Sequence, residues 1–194
     1  EEVTDGLQAP PKYFPLNVKM NKEGYDDIDV VLKRGTQALS PDAFEAAANE
    51  TEAIVLDVRH QNNFIKGHIP RSIFIGIDGG FAPWVGALIA DVKQPILLVT
   101  PEGREAETVK RLSRVGFDNT LGYLEGGFDA WKAASKEYDT LSSISAETFK
   151  AALEKDDIPV FDVRKESEFK AEHVKNAHLT PLDFLNDHLS EFPE

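Results

Sequence analysis

Cysteine is absent from all 194 residues of this chain, and that absence decides more than any single residue present. It excludes disulfides, thiolate zinc sites and every mechanism that needs a sulfur nucleophile within these residues. It leaves the redox compartment open, because a chain without Cys suits reducing and oxidising surroundings alike. Positive charge is also scarce: 21 Lys and Arg stand against 34 Asp and Glu, a net charge of −13. Binding to phosphate backbones or anionic membrane surfaces needs clustered Lys and Arg, so neither nucleic acid nor membrane is an expected partner. No apolar run approaches the length of a membrane span, and Glu1-Glu-Val-Thr-Asp5 has none of the features of a signal peptide. A cytoplasmic location is the expectation. The five histidines (His60, His68, His173, His178, His188) show no HExxH or HxH spacing, so no metal or other cofactor is expected in this chain. With Glu rather than Met at its first position, the chain reads as a piece of a longer protein.

What is present alternates. Residues 1–38 carry prolines, aromatics and turn formers without periodicity (Pro10-Pro11-Lys12-Tyr13-Phe14-Pro15) and are expected to be an irregular arm or linker. Ile28, Val31 and Leu32 fit about one helical turn. Ser40 then caps a helix with Pro41 at its first position. Ile54–Val58, Ile73–Ile77, Ile96–Val99 and Leu121–Leu124 read as apolar strands. Between them lie helical segments at Asn63–Gly67, Trp84–Ala90, Glu105–Leu112 and Phe128–Trp131. Strands alternating with helices predict a mostly parallel sheet covered on both faces.

One stretch organises the rest. Ile96–Val99 is a buried strand, Pro101 and Gly103 break it, and a helix follows from Glu105. A strand, a tight turn and a helix N-terminus bring backbone N–H groups together in a way that suits an anion. Nucleophiles often stand at the first residue of such a turn, and here that residue is Thr100.

At Ser142 the pattern restarts. Leu39-Ser-Pro-Asp-Ala-Phe44 returns as Ile144-Ser-Ala-Glu-Thr-Phe149, and Val55-Leu-Asp-Val-Arg59 as Val160-Phe-Asp-Val-Arg164. Phe64 and His68 return as Phe169 and His173, and every pair is 105 positions apart. This is an internal duplication. The same spacing puts a second focal turn at position 205. Residues 144–194 are therefore expected to lack sheet neighbours and to leave the strand at Pro159–Val163 with open edges.

Leu56-Asp-Val-Arg59, Phe64-Ile-Lys-Gly-His-Ile-Pro70 and Tyr123-Leu-Glu-Gly-Gly-Phe-Asp-Ala-Trp131 resemble the rhodanese homology domain. The resemblance implies a rhodanese-like α/β domain at 39–141 and the N-terminal part of a second copy at 142–194. The arm, Pro10 through Gly24, is similar to the tail of the metallo-β-lactamase-fold domain that precedes two rhodanese copies in persulfide dioxygenase–rhodanese fusions. That implies a preceding domain holding iron or zinc. It also implies partners in that domain, in a completed second rhodanese domain and in a homo-oligomer.

The family's active turn reads Cys, four residues, Arg, and its cysteine carries sulfane sulfur as a persulfide. Here the turn is Thr100, Pro101, Glu102, Gly103, Arg104, Glu105. Thr100 replaces the cysteine, and Arg104 arrives one residue early. A threonine hydroxyl needs an adjacent base to act and cannot store sulfur as a persulfide. Glu102 and Glu105 suit a helix N-terminus but repel thiosulfate or phosphate. No catalytic residue is assigned. Asp57 and Arg59, with Asp162 and Arg164, are expected to be structural ion pairs, the competing reading being catalytic carboxylates and anion-binding arginines. His68 and His173 are expected to be hydrogen-bonded scaffold residues rather than general bases. Arg104 keeps a second reading as a weak anion holder with the turn's N–H groups. Trp84 and Trp131 read as packed aromatics, Trp84 with a second reading as a contact to a partner domain.

Three functions follow from these readings. The first is a non-catalytic rhodanese module that couples neighbouring domains of a sulfur-metabolism enzyme. The second is a fragment of an active thiosulfate or persulfide sulfurtransferase whose cysteine lies beyond residue 194. The third, a rhodanese-fold phosphatase, needs the same missing Cys and Arg spacing and ranks last.

Overall fold

A computed structural model describes residues 27–155 and 158–193 of the chain. They form two compact units that divide between Thr140 and Leu141. No helix among them is long and apolar enough to cross a membrane.

Unit 1 is built on five parallel strands. In chain order its elements are α1 (Ile28–Gly35), β1 (Ala38–Leu39), α2 (Pro41–Thr51), β2 (Ile54–Asp57), α3 (Gln61–Phe64), β3 (Ile73–Phe74), α4 (Phe81–Leu88), β4 (Ile96–Val99), α5 (Glu105–Ser113), β5 (Thr120–Leu124) and α6 (Gly127–Ala133). The strand order is β1-β5-β4-β2-β3, and every pairing is parallel. β4 is central and buried along its whole length, as a strand covered on both faces must be. Its side chains alternate: Ile96 and Leu98 enter a core with Val31 of α1, Val85 of α4 and Val109 and Leu112 of α5. Leu97 and Val99 enter a second core with Phe44 of α2, Leu124, and Phe128 and Trp131 of α6. The expected α/β architecture, a parallel sheet with helices on both faces, is what the chain forms.

The borders differ in places. Residues 27–38 are not the irregular arm expected of them. Asp27 caps α1 by accepting the Asp29 N–H at 2.9 Å, Val31 is fully buried, and β1 pairs with β5 through Ala38↔Tyr123 and Leu39↔Leu124. The single helical turn expected from Ile28, Val31 and Leu32 is extended to Ile28–Gly35, and burial of Val31 supplies the support that so short a local pattern lacks. Residues 1–26, with the Pro10–Gly24 string, lie outside the described residues. α4 begins at Phe81 rather than Trp84. Pro83 falls within its first turn, where a missing N–H costs nothing. β3 is short, but the chain past it keeps the pairing, with the Ile75 and Ile77 N–H groups donating to the Asp57 and Val58 carbonyls at 3.0 Å each. Gly122 lets β1 and β5 close: a Cβ there would stand 2.7 Å from the Gln37 carbonyl oxygen.

Unit 2 contains α7 (Ala146–Lys155), β6 (Phe161–Asp162), α8 (Glu166–Ala171), β7 (His178–Leu179) and a short α9 (Leu185–His188). β6 and β7 form a two-stranded parallel sheet.

Candidate functional site

The focal turn stands at the C-terminal end of β4, where α/β proteins gather their ligands. Thr100 follows the last strand residue and is almost fully buried. The turn passes through Gly103 at φ +77°, a conformation that glycine adopts without steric cost, and the Arg104 N–H closes it on the Pro101 carbonyl at 3.2 Å. α5 then starts at Glu105.

What would be an anion cradle is filled from within. One carboxylate oxygen of Glu105 accepts the Gly103 N–H at 3.1 Å and the Thr100 hydroxyl at 3.3 Å. The chain's own carboxylate thus takes the place an oxyanion would occupy, at a helix N-terminus that favours negative charge. Glu102 and Glu105 both line a cavity of about 320 Å³ with Thr100, Tyr123, Leu124, Gly126 and Gly127. Gly126 and Gly127 sit at φ +71° and +61°, which brings the start of α6 against the turn.

Arg104 does not serve the cradle. Its Nε and Nη2 donate to the two oxygens of Glu107 at 2.8 and 3.0 Å, and Nη1 donates to Asp78 at 2.8 Å. Hydrogen bonding to Glu107 first, and then to Asp78, raises the guanidinium pKa. The same Arg104 hydrogen bond holds the Glu107 carboxyl below its ordinary value. Three of the five N–H donors of Arg104 thus go to carboxylates of Glu107 and Asp78, none of them to the turn. Arg111 extends the cluster, reaching Glu107 at 2.7 Å and the Ile77 carbonyl at 2.7 Å. Glu107 and Arg111 were legible as helical neighbours three and four residues apart. Asp78 was not, since only the fold brings the loop after β3 to the start of α5.

Asp57 and Arg59 form one buried unit. Arg59 Nε lies 2.9 and 3.1 Å from the Asp57 oxygens, Nη2 lies 2.5 Å from Oδ2, and the Arg59 backbone N–H donates to Oδ1 at 3.0 Å. Nη2 also donates to the Gly67 carbonyl at 2.8 Å, and the Phe128 ring covers the guanidinium at 4.5 Å. A buried ion pair persists only when its remaining donors are met in this way. His68 stacks on Phe64 at 4.0 Å, and its Nδ1 is 3.0 Å from the Phe64 carbonyl. Neither group lines the cavity beside Thr100.

Unit 2 repeats the hydrogen bonds of the Asp–Arg pair and the His–Phe stack. Arg164 Nε meets the Asp162 carboxylate at 3.0 and 3.2 Å, Nη2 meets it at 2.6 Å, and Nη2 donates to the Glu172 carbonyl at 2.9 Å. His173 stacks on Phe169 at 3.8 Å, with Nδ1 2.8 Å from the Phe169 carbonyl. The Arg164 hydrogen bond lowers the Asp162 pKa and raises that of Arg164. The difference is exposure: the Arg59 side chain is 10% exposed and that of Arg164 is 47%. Trp131 is packed edge-on against Phe44 at 6.1 Å and donates its ring N–H to the Glu137 carbonyl at 2.7 Å. Trp84 packs partly buried against the first core. Among the described residues no group of three or more His, Cys, Asp or Glu is placed to hold a metal.

A five-stranded parallel sheet with a strand, a tight turn and a helix at its C-terminal end, flanked by an Asp–Arg pair and a Gly–Gly turn, defines a rhodanese fold. The rhodanese-like domain family matches residues 40–134 and 145–194, and the chain belongs to that family. A curated relative, the thiosulfate sulfurtransferase GlpE of Pseudoalteromonas translucida, is 28% identical over 90 residues, which is 46% of this chain and 82% of that protein. Among solved structures, a rhodanese-like domain from an Anabaena protein is 20% identical with a TM-score of 0.43, covering 48% of this chain and 98% of that one. A thiosulfate sulfurtransferase from Pseudomonas aeruginosa is 21% identical with a TM-score of 0.45, covering 93% and 39%.

Proposed function

We propose that residues 39–141 are a non-catalytic rhodanese-like module that gives structural or regulatory coupling within a sulfur-metabolism fusion enzyme. The observation that carries this reading is Thr100, which occupies the position of the family's nucleophile in a chain with no cysteine at all and donates its hydroxyl to Glu105. Sulfur transfer needs an atom that accepts a sulfane sulfur and releases it again. A hydroxyl oxygen hydrogen-bonded to a carboxylate on its own turn does neither.

In the parent protein the module's neighbours are a preceding metallo-β-lactamase-like domain of persulfide dioxygenase type, holding iron or zinc, and a completed second rhodanese domain that begins at 142. A homo-oligomer and a cytoplasmic location belong to the same reading. Its support is the similarity of the Pro10–Gly24 string to the tail of such a domain, together with the duplication at a spacing of 105.

The test is a sulfur-transfer assay. Incubated with cyanide and either thiosulfate or glutathione persulfide, the chain is expected to form thiocyanate only at the blank rate. Turnover above the blank ends the non-catalytic reading. Deleting residues 39–140 from the parent is expected to alter its assembly or its kinetics; an unchanged oligomeric state with unchanged kinetics ends the coupling role.

A further inference from the structure

The turn Ile69–Ser72 is built twice and filled differently. In unit 1 the Ser72 N–H donates to the Ile69 carbonyl at 3.0 Å, and in unit 2 the Ala177 N–H donates to the Val174 carbonyl at 3.0 Å. The third residue of each turn is left-handed, Arg71 at φ +60° and Asn176 at φ +64°. Such a position favours Gly or Asn, and other side chains meet a steric cost there. Unit 2 carries the favoured residue, whereas unit 1 carries an arginine. Glu52 is a second such choice. It ends α2 in the left-handed conformation at φ +53°, where helices commonly use glycine.

Both residues open onto one cavity of unit 1. It has a volume of about 490 Å³ and is walled by α2 on one side and by the Ile69–Ser72 turn on the other, a size typical of small-molecule sites. Ile54, the first residue of β2, also lines it, so it stands at the opposite end of the parallel sheet from Thr100. Its floor is apolar, with Phe44, Val55, Ile69 and Trp131 all buried. Its rim is charged, carrying Arg71 with Glu45, Glu52 and Glu137. Lys136 neutralises Glu45 at 2.7 Å. The side chains of Arg71, Glu52 and Glu137 have no ion-pair or hydrogen-bond partner among the described residues. Strained backbone conformations gather at ligand clamps, and here two of them aim unpaired charges of opposite sign at one space.

We propose that this cavity binds a small zwitterion with an apolar body, of the class of the apolar α-amino acids. Its carboxylate pairs with the Arg71 guanidinium, whose fork matches that geometry. Its ammonium sits between Glu52 and Glu137, and its side chain lies over the apolar floor. The proposal concerns a site other than the Thr100 turn and is independent of the catalytic status of unit 1.

Charge complementarity selects this class over its neighbours. A simple anion would meet Arg71 but also the unpaired carboxylates of Glu52 and Glu137, which repel it. A simple cation would meet those carboxylates and leave Arg71 without a partner. An uncharged apolar molecule would fill the floor and leave every rim charge as it is. Only a ligand with both charges pairs each group of the rim.

The experiment titrates the isotope-labelled full chain with L-phenylalanine, with hydrocinnamate, which lacks the ammonium, and with phenethylamine, which lacks the carboxylate. Saturable NMR shifts at the amides of Ala53, Ile54, Ile69, Arg71 and Ser72 are expected with phenylalanine. Each of the other two compounds is expected to bind about tenfold more weakly, having lost one charged pair. Arg71→Asn gives unit 1 the residue that unit 2 holds in the same conformation. It is expected to weaken phenylalanine binding about tenfold, while the urea midpoint of unit 1 holds or rises. Absence of shifts up to the solubility limit of phenylalanine overturns the proposal, as does binding of hydrocinnamate or phenethylamine as tight as that of phenylalanine. Undiminished binding by Arg71→Asn overturns it too, and so does a lowered midpoint in that variant, which makes Arg71 a structural residue. None of these outcomes bears on the thiocyanate assay.

Discussion

The Thr100 hydroxyl and the Glu105 carboxylate are hydrogen-bonded at 3.3 Å across the turn that joins β4 to α5. The Gly103 N–H joins them on the same oxygen. The turn is a closed circuit rather than an open cradle, and this bears directly on attempts to repair it.

Restoring the sulfur atom alone is expected to fail. Thr100→Cys supplies a thiol, but a carboxylate five residues on disfavours its thiolate, and Arg104 remains bound to Glu107 and Asp78. Thiocyanate formation by Thr100→Cys should stay within twofold of the unsubstituted chain. A larger rate shows that the shortened loop and its acids matter less than the geometry implies.

The two Asp–Arg pairs should differ sharply in what their loss costs. Arg59→Ala leaves the fully buried Asp57 carboxylate without its partner, and breaking a buried pair from one side typically costs about 3–5 kcal/mol. Arg164→Ala removes a guanidinium that is itself 47% exposed, and a pair with one partner open to solvent contributes less than a fully buried one. Urea unfolding, followed separately in each unit by NMR, is the measurement. Equal losses in both units contradict the role assigned to burial.

Gly67 is expected to resist any side chain. A Cβ there stands 2.6 and 2.8 Å from two ring carbons of Phe128, and overpacking of this kind costs about 1–3 kcal/mol. Gly67→Ala should lower the urea midpoint of unit 1, and Gly67→Ala with Phe128→Leu should recover part of the loss. The stability of unit 2 should not change in either variant.

Acid should loosen unit 2 in a defined window. The Arg164 hydrogen bond depresses the Asp162 pKa below its usual 3.8. A carboxylate depressed in the folded state adds stability that is fully present above its unfolded value and is lost as pH falls through the folded one. Amides of β6 are therefore expected to keep their exchange protection from pH 7 down to about 4 and to lose it progressively below the usual carboxylate value. In Asp162→Asn the acid-dependent loss at these amides should disappear.

Much of this was legible in the chain. The alternation of apolar strands and helices, the residues of β4 and the capped start of α2 follow from local pattern, because buried strands and helix ends impose residue types at fixed spacing. The 105-residue repeat revealed the second unit, and the Thr100 turn revealed the missing nucleophile. Local pattern failed at Ile28–Leu39, whose order comes from α1 packing on α5 and from β1 pairing with a strand 85 residues away.

The sequence by itself determined that this is a duplicated rhodanese-like chain without the sulfur its family uses, since composition and spacing survive any folding. Only the tertiary structure decided that Glu105 fills the turn, that Asp78 and Glu107 hold Arg104, and that the arginine of the Asp–Arg motif is buried in one unit and half-exposed in the other. Those outcomes depend on which distant segments meet: Asp78 reaches Arg104 only through the fold, and the Phe128 ring that covers Arg59 comes from a helix about seventy residues away.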